Sequence, residues 1–131
     1  MKLMPALLAL TFTPPLWAAT PAQFVAQYSA EAGAGFSADA TRGRAFAARN
    51  HGVSEKLSSC FACHTDNPRA PGRHAVTGKA IDPLSPATQP ERFTDAKKVE
   101  KWFKRNCKEV VGRACTPAEK ADFIQYVLSV K

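Results

Sequence analysis

The 131-residue sequence predicts an all-α fold, and three observations carry that prediction. One helical face late in the chain holds Val99, Trp102, Phe103, Asn106 and Val110, at i, i+3, i+4, i+7 and i+11. Thr116-Pro117-Ala118-Glu119 joins a capping box to a proline at the first helical position, which opens another helix. No segment shows the convincing apolar/polar alternation of a half-buried strand.

Residues 1–19 read as a secretory leader. Lys2 supplies the positive start, Leu3 to Leu10 is mostly apolar, and Leu16-Trp17-Ala18-Ala19 places small residues at a cleavage point near Ala18 or Ala19. The apolar run is too short and too proline-broken to span a bilayer. Residues 20–131 then form one domain. Met1 and Met4 are the two methionines of the chain, so the mature protein has none. Loss of Lys2 takes the formal charge from +7 to +6, a balance that favours an acidic partner. Nucleic acid does not suit an exported chain of this kind.

The mature elements follow in order. Pro21 to Glu31 forms a first helix with Phe24, Val25 and Tyr28 on one face, ended by Gly33-Ala34-Gly35. Ser37 or Asp39 caps a second, about Ala38 to Ala48, with Ala45 and Phe46 expected on its buried side. Arg49 to Ser59 is polar loop. Residues 65–92 carry Pro68, Pro71, Gly72, Gly78, Pro83, Pro86 and Pro90, an irregular wrap rather than a helix. Thr94 caps the helix that runs to about Val111 and stops at Gly112. The last helix bears Phe123, Ile124, Val127 and Leu128.

Between loop and wrap stands Cys60-Phe61-Ala62-Cys63-His64. This C-x-x-C-H spacing is that of covalent haem c attachment. Two thiols one helical turn apart meet one edge of a macrocycle, and the histidine that follows reaches its iron as proximal axial ligand. A redox C-x-x-C would need a βαβ context, and a zinc site would need more ligands nearby. With no mature methionine, a His/Met iron is excluded, which leaves the sixth ligand open. His51 and His74 lie in polar segments where a solvated histidine is the simpler reading. A lysine would have to lose its proton. Asn106 sits on the apolar face beside Trp102 and Phe103, where its amide needs a partner. That partner is a hydrogen-bonding group or the iron. Cys107 and Cys115 are the two remaining cysteines of an exported chain, and a disulfide is their default state.

A resemblance goes further. Cys60-Phe61-Ala62-Cys63-His64, Thr77-Gly78-Lys79, Pro83-Leu84-Ser85-Pro86, Arg92-Phe93-Thr94-Asp95, Lys98-Val99-Glu100-Lys101-Trp102, Asn106-Cys107, Gly112 and Cys115-Thr116-Pro117-Ala118-Glu119-Lys120-Ala121-Asp122 resemble exported monohaem class I cytochromes related to sphaeroides haem protein and cytochrome c double-prime. Cytochrome c double-prime has histidine before the first disulfide cysteine, and sphaeroides haem protein has asparagine, as here. The resemblance implies Asn106 as a redox-labile distal axial ligand, a Cys107–Cys115 disulfide, and binding of oxygen or nitric oxide after reduction. It also implies a dihaem cytochrome c as electron donor. Lys97, Lys101, Lys104 and Lys108 share one helix face that could receive it. The Pro83-Leu84 pair also resembles the proximal loop of class I cytochromes, which implies that a carbonyl at or near Pro83 accepts a hydrogen bond from His64.

The expected function is that of a periplasmic electron-transfer cytochrome whose reduced haem binds a diatomic gas. The alternative is a haem enzyme that reduces oxygen, peroxide or nitric oxide at an open distal face. Turnover under continuous reduction separates the two. A plain carrier is a third reading, with His51 or His74 as permanent ligand.

Overall fold

The computed structural model describes residues 18–131, so Met1, Met4, Trp17 and nearly all of the expected leader lie outside the described residues. The described residues fold as five helices and one two-residue strand pair. Helix α1 spans Pro21–Ala32, with Phe24 and Tyr28 buried. Thr20 and Gln23 close a capping box at its start, and Gly33, at φ 113°, ends it.

Helix α2, Ala40–Ala48, is capped by Asp39. Its buried residues are Gly43 and Ala47, not the expected Ala45 and Phe46. The smallest side chains face inward because α2 lies directly on the last helix. A Cβ at Gly43 would stand 1.9 Å from the Asp122 carbonyl oxygen. Phe46 instead meets the His51 ring edge-on at 5.2 Å.

Helix α3 is the single turn Phe61–His64. Strands β1, Gly72–Arg73, and β2, Ala80–Ile81, pair antiparallel within the proline-rich wrap. This pair was not expected, since two residues are too few to show a period. The turn between the strands forms it: His74 N–H donates to the Lys79 carbonyl, Gly78 N–H to the His74 carbonyl, and Gly78 takes φ 70°.

Helix α4 runs Ala96–Val110 and is capped by Asp95 rather than Thr94. The Thr94 hydroxyl donates to the Glu91 carbonyl and is not available as a cap. Helix α5, Pro117–Ser129, begins with the expected Thr116/Glu119 capping box.

Helices α1 and α2 both pack on α5. One core cluster joins Phe24, Tyr28, Val99, Ala121 and Ile124. The other joins Ala47, Tyr126 and Val127, with Cys60, Phe61 and Leu84 packed against it. The C-x-x-C-H turn is therefore seated on the α2–α5 side of the core. Phe93 packs against both clusters from a left-handed backbone, φ 57°. Among the described residues no helix is long and apolar enough to cross a membrane.

Candidate haem site

In the α3 turn, His64 N–H donates to the Cys60 carbonyl at 3.0 Å, so the two cysteines lie one helical turn apart on the same side. Ser59 helps to start the turn, its hydroxyl accepting from Ala62 N–H at 3.3 Å. Thr65, at φ 63°, ends it. Tyr126 ties the exit to α5, donating to the Asp66 carbonyl at 2.9 Å. The hairpin lies over the turn from the other side. A Cβ at Gly72 would fall 2.2 Å from the Cys63 carbonyl oxygen, which is why glycine stands there, and Ala75 N–H approaches Cys63 Sγ at 3.3 Å.

Cys60 and Cys63 are free thiols. Burial pushes Cys60 up to about 11, so it stays protonated at neutral pH. Burial, with the nearby Arg92 charge second, lowers His64 to about 4, so the imidazole is neutral and has a lone pair to give. Two thiols and one neutral imidazole on one helical turn are the donor set haem c requires, and these residues fit it.

Beyond His64 the wrap is held by backbone and guanidinium. Ser85 is buried and its N–H donates to the Pro68 carbonyl at 2.8 Å. Arg92 Nε donates to the Pro83 carbonyl and one terminal nitrogen to the Asp82 carbonyl, both at 2.7 Å. The Pro83 carbonyl, named above as an acceptor for His64, accepts from Arg92. Sequence reasoning assigned Arg92 no role, although the Arg92-Phe93-Thr94-Asp95 motif was visible.

Helix α4 carries the other candidates. Phe103 lies edge-on between Tyr28 and Phe123, each centroid 6.0 Å away. Asn106 is half-buried. Trp102 is 44% exposed, less covered than its place on the apolar face suggested, and Lys101 and Arg105 approach its ring at 5.7 and 5.5 Å. Cys107 and Cys115 form a disulfide. On the back of the helix, Glu100 accepts from the Tyr28 hydroxyl and from Lys120, the latter at 3.1 Å, which pins α4 to α1 and α5. Helices α3 and α4 do not share an extensive interface.

The two other histidines serve their own loops. His51 Nε2 is 3.3 Å from the Phe46 carbonyl. His74 Nδ1 accepts from the N–H groups of Val76 and Thr77, which leaves the ring proton on Nε2. Lys97, Lys101, Lys104 and Lys108 are all exposed. The carboxylates of α4, Glu100 and Glu109, pair with Lys120 and Arg105 instead.

Known proteins share this arrangement. A family model described as a domain of unknown function, DUF1924, matches residues 32–127. Cytochrome c-type protein SHP of Cereibacter sphaeroides is 48% identical over 109 residues, 82% of each chain. The structure of oxidised SHP, described as an oxygen-binding cytochrome c, superposes with a TM-score of 0.79 at 44% identity, over 86% of this chain and 98% of that one. Oxidised cytochrome c'' of Methylophilus methylotrophus does so with a TM-score of 0.70 at 34% identity, over 85% and 94%. The all-α fold is that of these class I-like cytochromes, and the chain belongs to the c-type cytochrome family of SHP and cytochrome c''.

Proposed function

We propose that the mature chain is a periplasmic class I cytochrome that carries one haem c on Cys60 and Cys63, passes electrons, and binds oxygen or nitric oxide when reduced. The observation that carries this reading is the α3 turn, which sets Cys60 and Cys63 one helical turn apart with His64 directly after them. When bound, haem supplies a one-electron couple and an iron with two axial positions.

His64 takes the proximal position. Asn106, on α4, would be the redox-labile distal ligand of the ferric iron, as the asparagine before Cys107 implies by resemblance. A neutral amide is a hard, weak donor that suits ferric iron better than ferrous, so Asn106 would be the ligand released on reduction. Its N–H is then free to hydrogen-bond a diatomic ligand. Phe103, fixed between two aromatic rings, and Trp102 would flank that side. The lysines of α4 receive an acidic redox partner, a dihaem cytochrome c by resemblance, in line with a cationic face whose neighbouring carboxylates are already paired.

Absorption spectra of the ferric and anaerobically reduced protein, before and after oxygen, test the reading. We expect a six-coordinate ferric form, a reduced form with an open position, and a further change with oxygen. Asn106→Ala should convert the ferric spectrum to high spin. Asn106→His should slow gas binding to the reduced protein, because imidazole stays on ferrous iron better than an amide does. An Asn106→Ala spectrum like that of the parent would refute the ligand assignment.

A further inference from the structure

The turn that joins β1 to β2 is closed around His74, a half-buried residue. Its backbone N–H donates to the Lys79 carbonyl and its carbonyl accepts from Gly78 N–H, both at 2.8 Å. Its ring closes the same turn: Nδ1 accepts from Val76 N–H at 3.3 Å and from Thr77 N–H at 3.2 Å. An imidazole nitrogen can do this only while it keeps its lone pair. Arg73 adds a bond to the Gly78 carbonyl at 2.6 Å. The turn so shaped reaches across to the attachment site. Ala75 N–H, between His74 and the two amides its ring holds, donates to Cys63 Sγ at 3.3 Å. Gly72 lies against the Cys63 carbonyl with no room for a Cβ. Arg73 and Lys79 are the charges that flank His74 in the hairpin, and α3, packed on β1, brings the titratable Cys63 and His64. No carboxylate pairs with His74 among the described residues.

We propose that His74 is a positioning residue for the Cys63 side of the site: as neutral imidazole it locks the turn that holds Ala75 N–H on the Cys63 sulfur, and acid releases that lock. Protonation turns Nδ1 from an acceptor into a donor that faces two backbone donors. It also sets a third cation between Arg73 and Lys79, with no carboxylate to offset it. Both ring bonds are then lost, and the turn is free to move off the sulfur. The inference rests on haem attachment at Cys63.

The parent, His74→Asn and His74→Ala, all as haem-loaded protein, test it by two readouts. One is the hydrogen-exchange rate of segment 72–79, relative to an unfolded peptide at the same pH. The other is the carbon–sulfur stretching band of the Cys63 thioether in resonance Raman spectra. From about pH 8 to about pH 5, across the usual histidine range, the parent's relative exchange rate should rise about tenfold, as for loss of an ordinary hydrogen bond, and the band should shift. His74→Asn should keep slow exchange and the parental band at both pH values, since an asparagine oxygen accepts from the same backbone N–H groups and does not titrate. His74→Ala should show fast exchange and the shifted band at both. Should His74→Ala fail to take up haem, the other two proteins decide alone. A parent whose exchange and band ignore pH overturns the proposal, as does His74→Asn responding to pH as the parent does. Exchange that responds while the band stays fixed overturns the tie to Cys63. Haem found bonded through Cys60 and not through Cys63 would instead overturn the attachment on which the inference rests, and the inference with it.

Discussion

Helices α4 and α5 adjoin in the chain, and one disulfide ties α4 to the segment just before α5, yet they are held differently. Helix α5 buries Ala121, Asp122, Ile124, Tyr126 and Val127 and receives both α1 and α2. Helix α4 buries Val99, Cys107 and Val110 and exposes its lysines and much of Trp102. Its other holds are few: the Phe103 ring, the Glu100 contacts and the disulfide. The contrast teaches that α5 is scaffold. Helix α4 is a lightly anchored element, and the proposed haem and redox partner would use its remaining faces.

The strongest way to break this contrast is to damage the scaffold. Ile124 is fully buried between α1, α4 and α5 residues. Ile124→Ala should cost about 2–5 kcal/mol in denaturant unfolding. Gly43→Ala should cost ~3 kcal/mol or more, because its Cβ would meet backbone rather than a movable side chain. Below their unfolding transitions, both variants should keep the parental ferric spectrum. A spectrum that changed with either would mean that α5 and the ligand set are not separable.

The same contrast explains what could be read from the sequence. The bounds of α5 were legible because its capping box and its apolar face make the same demand. The C-x-x-C-H turn was legible because covalent attachment needs that spacing in any context. The buried side of α2 was not. Helix–helix contact through Gly43 and Ala47 depends on small size, which a search for large apolar residues passes over. The Arg92 fork was hidden for another reason. It binds carbonyls nine and ten residues earlier in the chain, and carbonyls have no sequence signature.

A smaller effect should come from the link between the two helices. Cys107→Ser with Cys115→Ser opens an eight-residue separation and should lower stability by about 2.5 kcal/mol. Since Cys107 adjoins Asn106, the double variant should also show a larger high-spin fraction in the ferric state, unlike Ile124→Ala. Equal stability loss with an unchanged ferric spectrum would make the bridge a staple with no bearing on the distal ligand.

The smallest effect on stability and a large one on rate should come from the exposed face of α4. Lys97 and Lys101 are exposed and take part in no ion pair among the described residues, so reversing both to Glu should change unfolding free energy by no more than about 0.5 kcal/mol. Encounter with an acidic electron donor is another matter. Surface charges steer a partner over a distance that salt shortens to about 8 Å at physiological ionic strength. Reduction of the parent protein by such a donor, a dihaem cytochrome c for instance, should therefore slow steeply as salt rises. Lys97→Glu with Lys101→Glu should slow it at low salt and flatten its salt dependence. Reduction by dithionite, which needs no docking face, should change far less. If the donor rate ignores both the salt and the reversal, the lysines are merely the solvated side of an amphipathic helix, and the partner docks elsewhere, near the Cys60 edge of the site.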